Sequence, residues 1–143
     1  MANEVKYTYA SQVTLEASGA SGASDNFIAA DDADLTSANH SDYLFGDFAL
    51  TCVLGGAPTN AVINLYRRDL NIDGAADDAV PSTTYARTYV GLFAIPVSDS
   101  GTYSLTDVPL TQDCEFYIEN KTGQSLSAGW VLKVTPKSYA PAT

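Results

Sequence analysis

Apolar positions along the chain recur in short runs, mostly with every second residue apolar, and the runs are separated by Gly, Pro, Asn and Asp. Alternation of this kind turns one face of a strand into a core and the other toward water. The last run shows it most plainly: in GWVLKVTP, residues 129–136, Trp130, Leu132 and Val134 share one phase, and Val131, Lys133 and Thr135 the other. Trp130 is therefore expected as a core anchor. Further strands are predicted at LFGDFALTCVL (44–54), AVINLYRR (61–68), TYARTYVGLFAIPV (84–97), TYSLTDV (102–108) and DCEFYIEN (113–120). The turns GGAPTN, SDSGT and NKTGQS divide them.

The first third of the chain is less regular. Residues 1–16 contain EVKYTYASQVTLEA, with Val5, Tyr7 and Tyr9 in one phase. They predict either the first strand of the domain or an arm that pairs with the sheet edge of another chain. SGASGAS follows as a small-residue linker, so residues 18–42 are expected as a long, loop-rich excursion with one short strand near 27–30. No window shows 3.6-residue periodicity with caps, and no internal repeat is present. Seven or eight strands predict an all-β chain: a single-domain antiparallel β-sandwich over residues 1–143, jelly-roll-like, with an immunoglobulin-like arrangement as the alternative. A chain of 143 residues can bury roughly 70% of its unfolded surface without disulfide or metal staples.

Charge narrows the function. The formal net charge is -10, and no Lys or Arg lies between Lys6 and Arg67, where Glu16, Asp25, Asp31, Asp32, Asp34, Asp42 and Asp47 all fall. A phosphate backbone or an anionic membrane would be repelled by that half, so neither nucleic acid nor membrane is an expected partner. No run approaches the roughly 18 apolar residues of a membrane span, and MANEVKYTYAS has no apolar signal core, so synthesis and retention in a cytoplasm are expected. Cys52 and Cys114 lie in phase with apolar neighbours and are expected as buried free thiols.

Catalytic chemistry finds little to build on. His40, the sole histidine, sits in the polar stretch TSANHSDY and is expected on an exposed loop, without the neighbours a nucleophile relay needs. His40, Cys52 and Cys114 have no zinc-ligand spacing. The adjacent pairs Asp31 with Asp32 and Asp77 with Asp78 offer no acid kept neutral across a cleft. GGAPTN lacks the Lys of a phosphate loop. The expectation is a protein that is not an enzyme and takes no cofactor.

DLNIDGAADD, residues 69–78, opens like a calcium loop, with Asp69, Asn71 and Asp73 at alternate positions and Gly74 at the turn. Val80 stands twelfth, where an EF-hand places its bidentate Glu, and strands flank the loop. Asp69, Asn71, Asp73 and Asp77 thus stay only weak candidates for a looser oxygen cage. Asp, Asn and Gly are also what tight turns select, and Arg67 and Arg68 would compete with a cation.

The order of segments resembles a group of small virion proteins of tailed bacteriophages and prophages. The carriers are Thr88-Tyr89-Val90-Gly91, Val108-Pro109-Leu110 and the block 119–136, especially Asn120, Gly123, Gln124, Gly129, Trp130 and Leu132. The resemblance spans nearly the whole chain. It implies a β-sandwich of the capsid decoration, or cement, type: a protein on the virion exterior that binds the major capsid protein, braces neighbouring capsomers and associates with its own copies. A tail, neck or fibre-associated binding module, including one that touches a host carbohydrate, is the alternative, and a small glycan-active enzyme a more distant one. The contact residues are not implied by the resemblance.

Overall fold

A computed structural model describes residues 5–40, 42–85, 88–110 and 113–141. Among the described residues nine strands form two antiparallel sheets: β1 (Val5–Tyr9), β2 (Val13–Gly19), β3 (Phe27–Leu35), β4 (Phe45–Val53), β5 (Ala61–Asp69), β6 (Tyr89–Ile95), β7 (Ser100–Pro109), β8 (Cys114–Lys121) and β9 (Trp130–Pro141). One sheet runs β2-β9-β4-β7, with β1 also on β9, and the other runs β3-β8-β5-β6. From β2 to β9 successive strands change sheets except at the β5-β6 hairpin, which is the jelly-roll order. The immunoglobulin-like alternative does not fit, because there the first two strands neighbour each other in one sheet, whereas here β1 and β2 are joined only through β9 and β2 and β3 lie in different sheets.

The inward phases meet between the sheets. Trp130, Leu132 and Val134 of β9 and Phe48, Leu50 and Cys52 of β4 face Ile63, Leu65, Phe93, Phe116 and Ile118 of the opposite sheet, all buried. Phe48 and Phe116 bridge the two layers edge to face, with ring centroids 4.9 Å apart. Cys52 and Cys114 are buried free thiols. Burial pushes the Cys52 thiol up to about 11 and that of Cys114 up to about 12, which removes thiolate character from both.

Several boundaries differ from the sequence expectation. Of the expected strand or arm over 1–16, the described residues 5–16 do not form one strand: β1 and β2 are separate, yet both lie antiparallel along the same side of β9. The last strand continues to Pro141 rather than stopping at Pro136. Ala10 donates to Pro136 O, so the N–H that Pro136 lacks falls at the break between β1 and β2, where it costs no ladder bond. The stretch 18–42 is not mainly loop, since β3 has nine residues, of which Asp31 to Asp34 lie in a register shift against β8. The strand expected over 84–97 covers only Tyr89–Ile95 because Ser82 and Tyr85 bridge each other and bend the chain; residues 86–87 lie outside the described ones. His40 is buried at 6% exposure rather than exposed. A single helical turn, Ser37–His40, is closed by Thr36 O accepting from the N–H groups of Asn39 and His40, and it rolls the imidazole under the loop.

The connections separate into two ends. At one end lie the loops β2-β3, β4-β5, β6-β7 and β8-β9; at the other lie β3-β4, β5-β6 and β7-β8, together with the start of β1 and the end of β9.

Candidate functional site

β9 is longer than its neighbour. β4 begins at Phe45, paired with Lys137, whereas β1 accompanies β9 out to the pair Val5↔Pro141. Residues 5–8 and 138–141 therefore continue past the sheet as a two-stranded ribbon. All five residues of β1 are exposed, among them Val5 at 63%, Tyr7 at 54% and Tyr9 at 55%. The outward tyrosines join a cluster, with Tyr7 4.9 Å and Phe45 5.3 Å from the ring of Tyr139. Val5, Tyr7, Tyr9 and Tyr139 thus leave apolar surface open to water side by side, and such patches mark interaction surfaces.

A buried cation fastens the ribbon to the body. Lys137 Nζ lies 2.7 Å from Asp47 Oδ1 on β4 and 2.7 Å from Asp107 Oδ1 on β7. Asp107 sits in a bulge of β7 at φ 60°, and its N–H donates to Asp47 Oδ1 at 3.0 Å. The Tyr139 hydroxyl donates to Asp107 Oδ1, and the rings of Tyr7 and Tyr139 each stand 5.8 Å from Nζ. Burial opposes the charge on Lys137, but the hydrogen bonds to Asp107 and Asp47 outweigh it and raise its pKa. The Lys137 and Tyr139 bonds hold Asp107 below the usual carboxylate range, and Asp107 in turn raises the Tyr139 hydroxyl. One lysine thus ties three strands and two tyrosines into a single clasp.

The sequence candidates in the 69–78 loop are not gathered around a common point. Asp69 pairs with Arg67 Nε at 2.7 Å. Asp77 Oδ1 accepts from the N–H of Asn71 at 3.2 Å, and Asp73 Oδ1 accepts from that of Ala76 at 3.2 Å. Asn71, Asp73 and Gly74 all have left-handed φ, at 52°, 64° and 90°. These are the bonds and dihedrals of turn chemistry. Arg68 reaches Glu115 at 2.7 Å and Asp77 at 3.9 Å, and its Nε donates to the carbonyl of Asp78.

Among the described residues, the acids that do converge are Glu16, Asp31 and Asp32, with oxygens within 4.8 Å of one another. Spacing alone could not find this trio, because β2 and β3 meet only in the fold. Its oxygens accept the N–H groups of Ala17, Ser18 and Asp31, which the shifted β2 and β3 ladders leave unpaired. Burial raises the Glu16 carboxyl above its ordinary value. A hollow of about 320 Å³ beside His40 is lined by Ser11, Gln12, Asn39, Asp42 and Tyr43, and His40 Nε2 stands 3.7 Å from Asp113 Oδ1.

On the outer face of the second sheet, the buried Glu119 accepts from Asn64 Nδ2 at 2.8 Å and from the Tyr66 hydroxyl at 3.1 Å. Phe27 packs over Tyr66 at 5.1 Å. Burial, reinforced by Glu119, pushes the Tyr66 hydroxyl up to about 12. These groups satisfy one another and present no free nucleophile.

At the end away from the ribbon the loops are bound by one side chain. Asn120 is fully buried; its Nδ2 donates to Gln124 O at 2.8 Å and Gly22 O at 3.4 Å, and its Oδ1 accepts from the Thr122 hydroxyl at 2.7 Å. Its backbone exchanges bonds with Asn26 and Asp25. Trp130 Nε1 donates to Ala20 O at 2.8 Å across the same region. No protein-family model, curated protein or solved structure matches this chain.

Proposed function

We propose that this chain is a structural virion protein of a tailed phage, which binds the outer surface of the capsid and stabilises contacts between major capsid protein subunits. The observation that supports it best is the β1–β9 ribbon: a free strand edge and a cluster of exposed tyrosines beside it. Such an element suits docking rather than catalysis. Weak contacts of this size become effective when repeated over a shell, since linked copies bind with higher apparent affinity. The likeness of residues 88–91, 108–110 and 119–136 to small phage virion proteins points the same way.

The test is quantitative mass spectrometry of purified particles combined with rebinding of the isolated protein to expanded capsids that lack it. Hundreds of copies per particle and saturable rebinding are expected. A handful of copies would move the protein to the tail or neck, and absence from particles would refute the virion assignment.

A further inference from the structure

The free edge of β1 has a symmetry of its own. Ala10 donates its N–H to Pro136 O, and the register from Tyr9↔Lys137 to Val5↔Pro141 is unbroken. In an antiparallel ladder backbone groups point alternately toward and away from the partner. Thr8 and Lys6 therefore turn theirs toward β9, and Val5, Tyr7 and Tyr9 turn theirs outward. Among the described residues no strand lies on that far side. The three outward-facing backbone positions, 5, 7 and 9, are spaced evenly about Tyr7.

We propose that β1 pairs antiparallel with β1 of a second copy of this chain, with the two-fold axis passing at Tyr7. In that register Tyr7 meets its own copy, and Val5 faces Tyr9 across each half, an aromatic with β-branched pair of the kind that stabilises sheets. Each of these pairs exchanges two backbone hydrogen bonds. Lys6 falls opposite Thr8, so no like charges are opposed. Centring the pairing on Lys6 would set that lysine against itself, and centring it on Thr8 would leave Val5 without a counterpart. The isologous arrangement also lays both tyrosine clusters on one continuous sheet face.

The contact is small beside the standard protein interface, and each copy carries a net charge of -10, so association in free solution is weak. The same charge gives the dimer a signature: screening the mutual repulsion strengthens it, so association rises with ionic strength. A basic strand from a different protein on the same edge would show the opposite salt dependence.

Sedimentation velocity on the isolated protein, from micromolar to millimolar concentration and at low and high salt, tests this without any capsid, so it stands or falls separately from the virion assignment. A monomer–dimer equilibrium that strengthens with salt is expected. Thr8→Lys opposes a second lysine to Lys6 and weakens association at least several-fold, whereas Thr8→Glu opposes opposite charges and strengthens it. Both positions are exposed, so circular dichroism and melting should match the unaltered protein. Tyr7→Pro removes the outward N–H on the axis and abolishes the dimer while sparing the β9 ladder. A monomer under all conditions, or equal behaviour of the two Thr8 variants, overturns the proposal.

Discussion

The two ends of the sandwich solve the same problem, holding loops over a core, by opposite means. The loops 20–26, 54–60, 96–99 and 122–129 contain Asp25 and Asp99 as their only charged residues; Asn120 binds the first to the last and Trp130 caps the core, while the ion pair there, Lys121 with Asp25 at 2.6 Å, is exposed and contributes little. At the other end, Asp42, Asp73, Asp77, Asp78 and Asp113 stand in the connections, and Asp47, Asp69, Asp107 and Glu115 flank them. There the ties are ion pairs: Lys137 with Asp47 and Asp107, Arg67 with Asp69, and Arg68 with Glu115. A neutral amide network is indifferent to salt and pH, whereas a clasp of charges is not. The contrast explains how one end can be a closed lid while the other keeps an exposed, adjustable surface.

The sharpest way to break this contrast is at the closed end. Trp130→Ala removes the largest fully buried side chain and leaves Ala20 O without its donor, and a loss of about 3–5 kcal/mol is expected in urea unfolding. Asn120→Ala strands the carbonyls of Gly22 and Gln124 and costs about 2–4 kcal/mol, with the same value at low and high salt. A salt-dependent loss there would show that charge, not the amide, closes this end.

At the charged end, Lys137→Met leaves Asp47 and Asp107 facing each other and costs about 1–2 kcal/mol at neutral pH, less than a fully buried pair because water reaches both carboxylates. The pH window follows from the direction of the shifts. Asp107 is depressed in the fold, so its contribution is complete above the unfolded value of about 4 and disappears as pH falls through the lower folded value. Lys137 is raised, so its contribution is complete below about pH 10 and is lost as pH climbs through the higher folded value. The difference between Lys137→Met and the unaltered protein should therefore be flat across neutrality and shrink below about pH 4. A difference that persists in acid would mean that packing of the lysine stem, not its charge, holds the ribbon.

The smallest test compares two glycines with left-handed φ and open space around an added Cβ. Gly123 at φ 74° lies in the closed end, and Gly74 at φ 90° in the acidic loop. Gly123→Ala should cost about 1 kcal/mol, because its turn is tied to Ser24 and to the Asn120 network. Gly74→Ala should cost less than about 0.5 kcal/mol, as a loop held by its own short-range bonds can yield locally. Equal losses in thermal melting would show the two ends to be equally rigid.

Much of the sandwich was legible in the chain because its core strands alternate cleanly. Trp130, Leu132 and Val134 declared their face, and so did the neighbours of Cys52 and Cys114. What escaped has physical causes. β3 was hidden because Asp31 to Asp34 break alternation where the strand bulges, and the carboxylate of Asp32 serves β2 rather than a turn. His40 was misplaced because one helical turn too short to leave a periodic trace buries it. Val5, Tyr7 and Tyr9 were visible as a phase, but alternation cannot tell an inner face from one that has run beyond its sheet. The Lys137 clasp was not readable at all, since Asp47, Asp107 and Lys137 meet only once β4, β7 and β9 are assembled.

The ribbon also has a mechanical consequence. Val5 and Pro141 lie opposite each other at its tip, so tension applied at these two residues pulls directly across one ladder rung rather than along the strands. The rungs then open in succession at low force, like a zipper, until the load reaches Lys137. There the three-strand clasp must yield as a unit, and a force–extension trace should show a soft peel followed by a sudden rise.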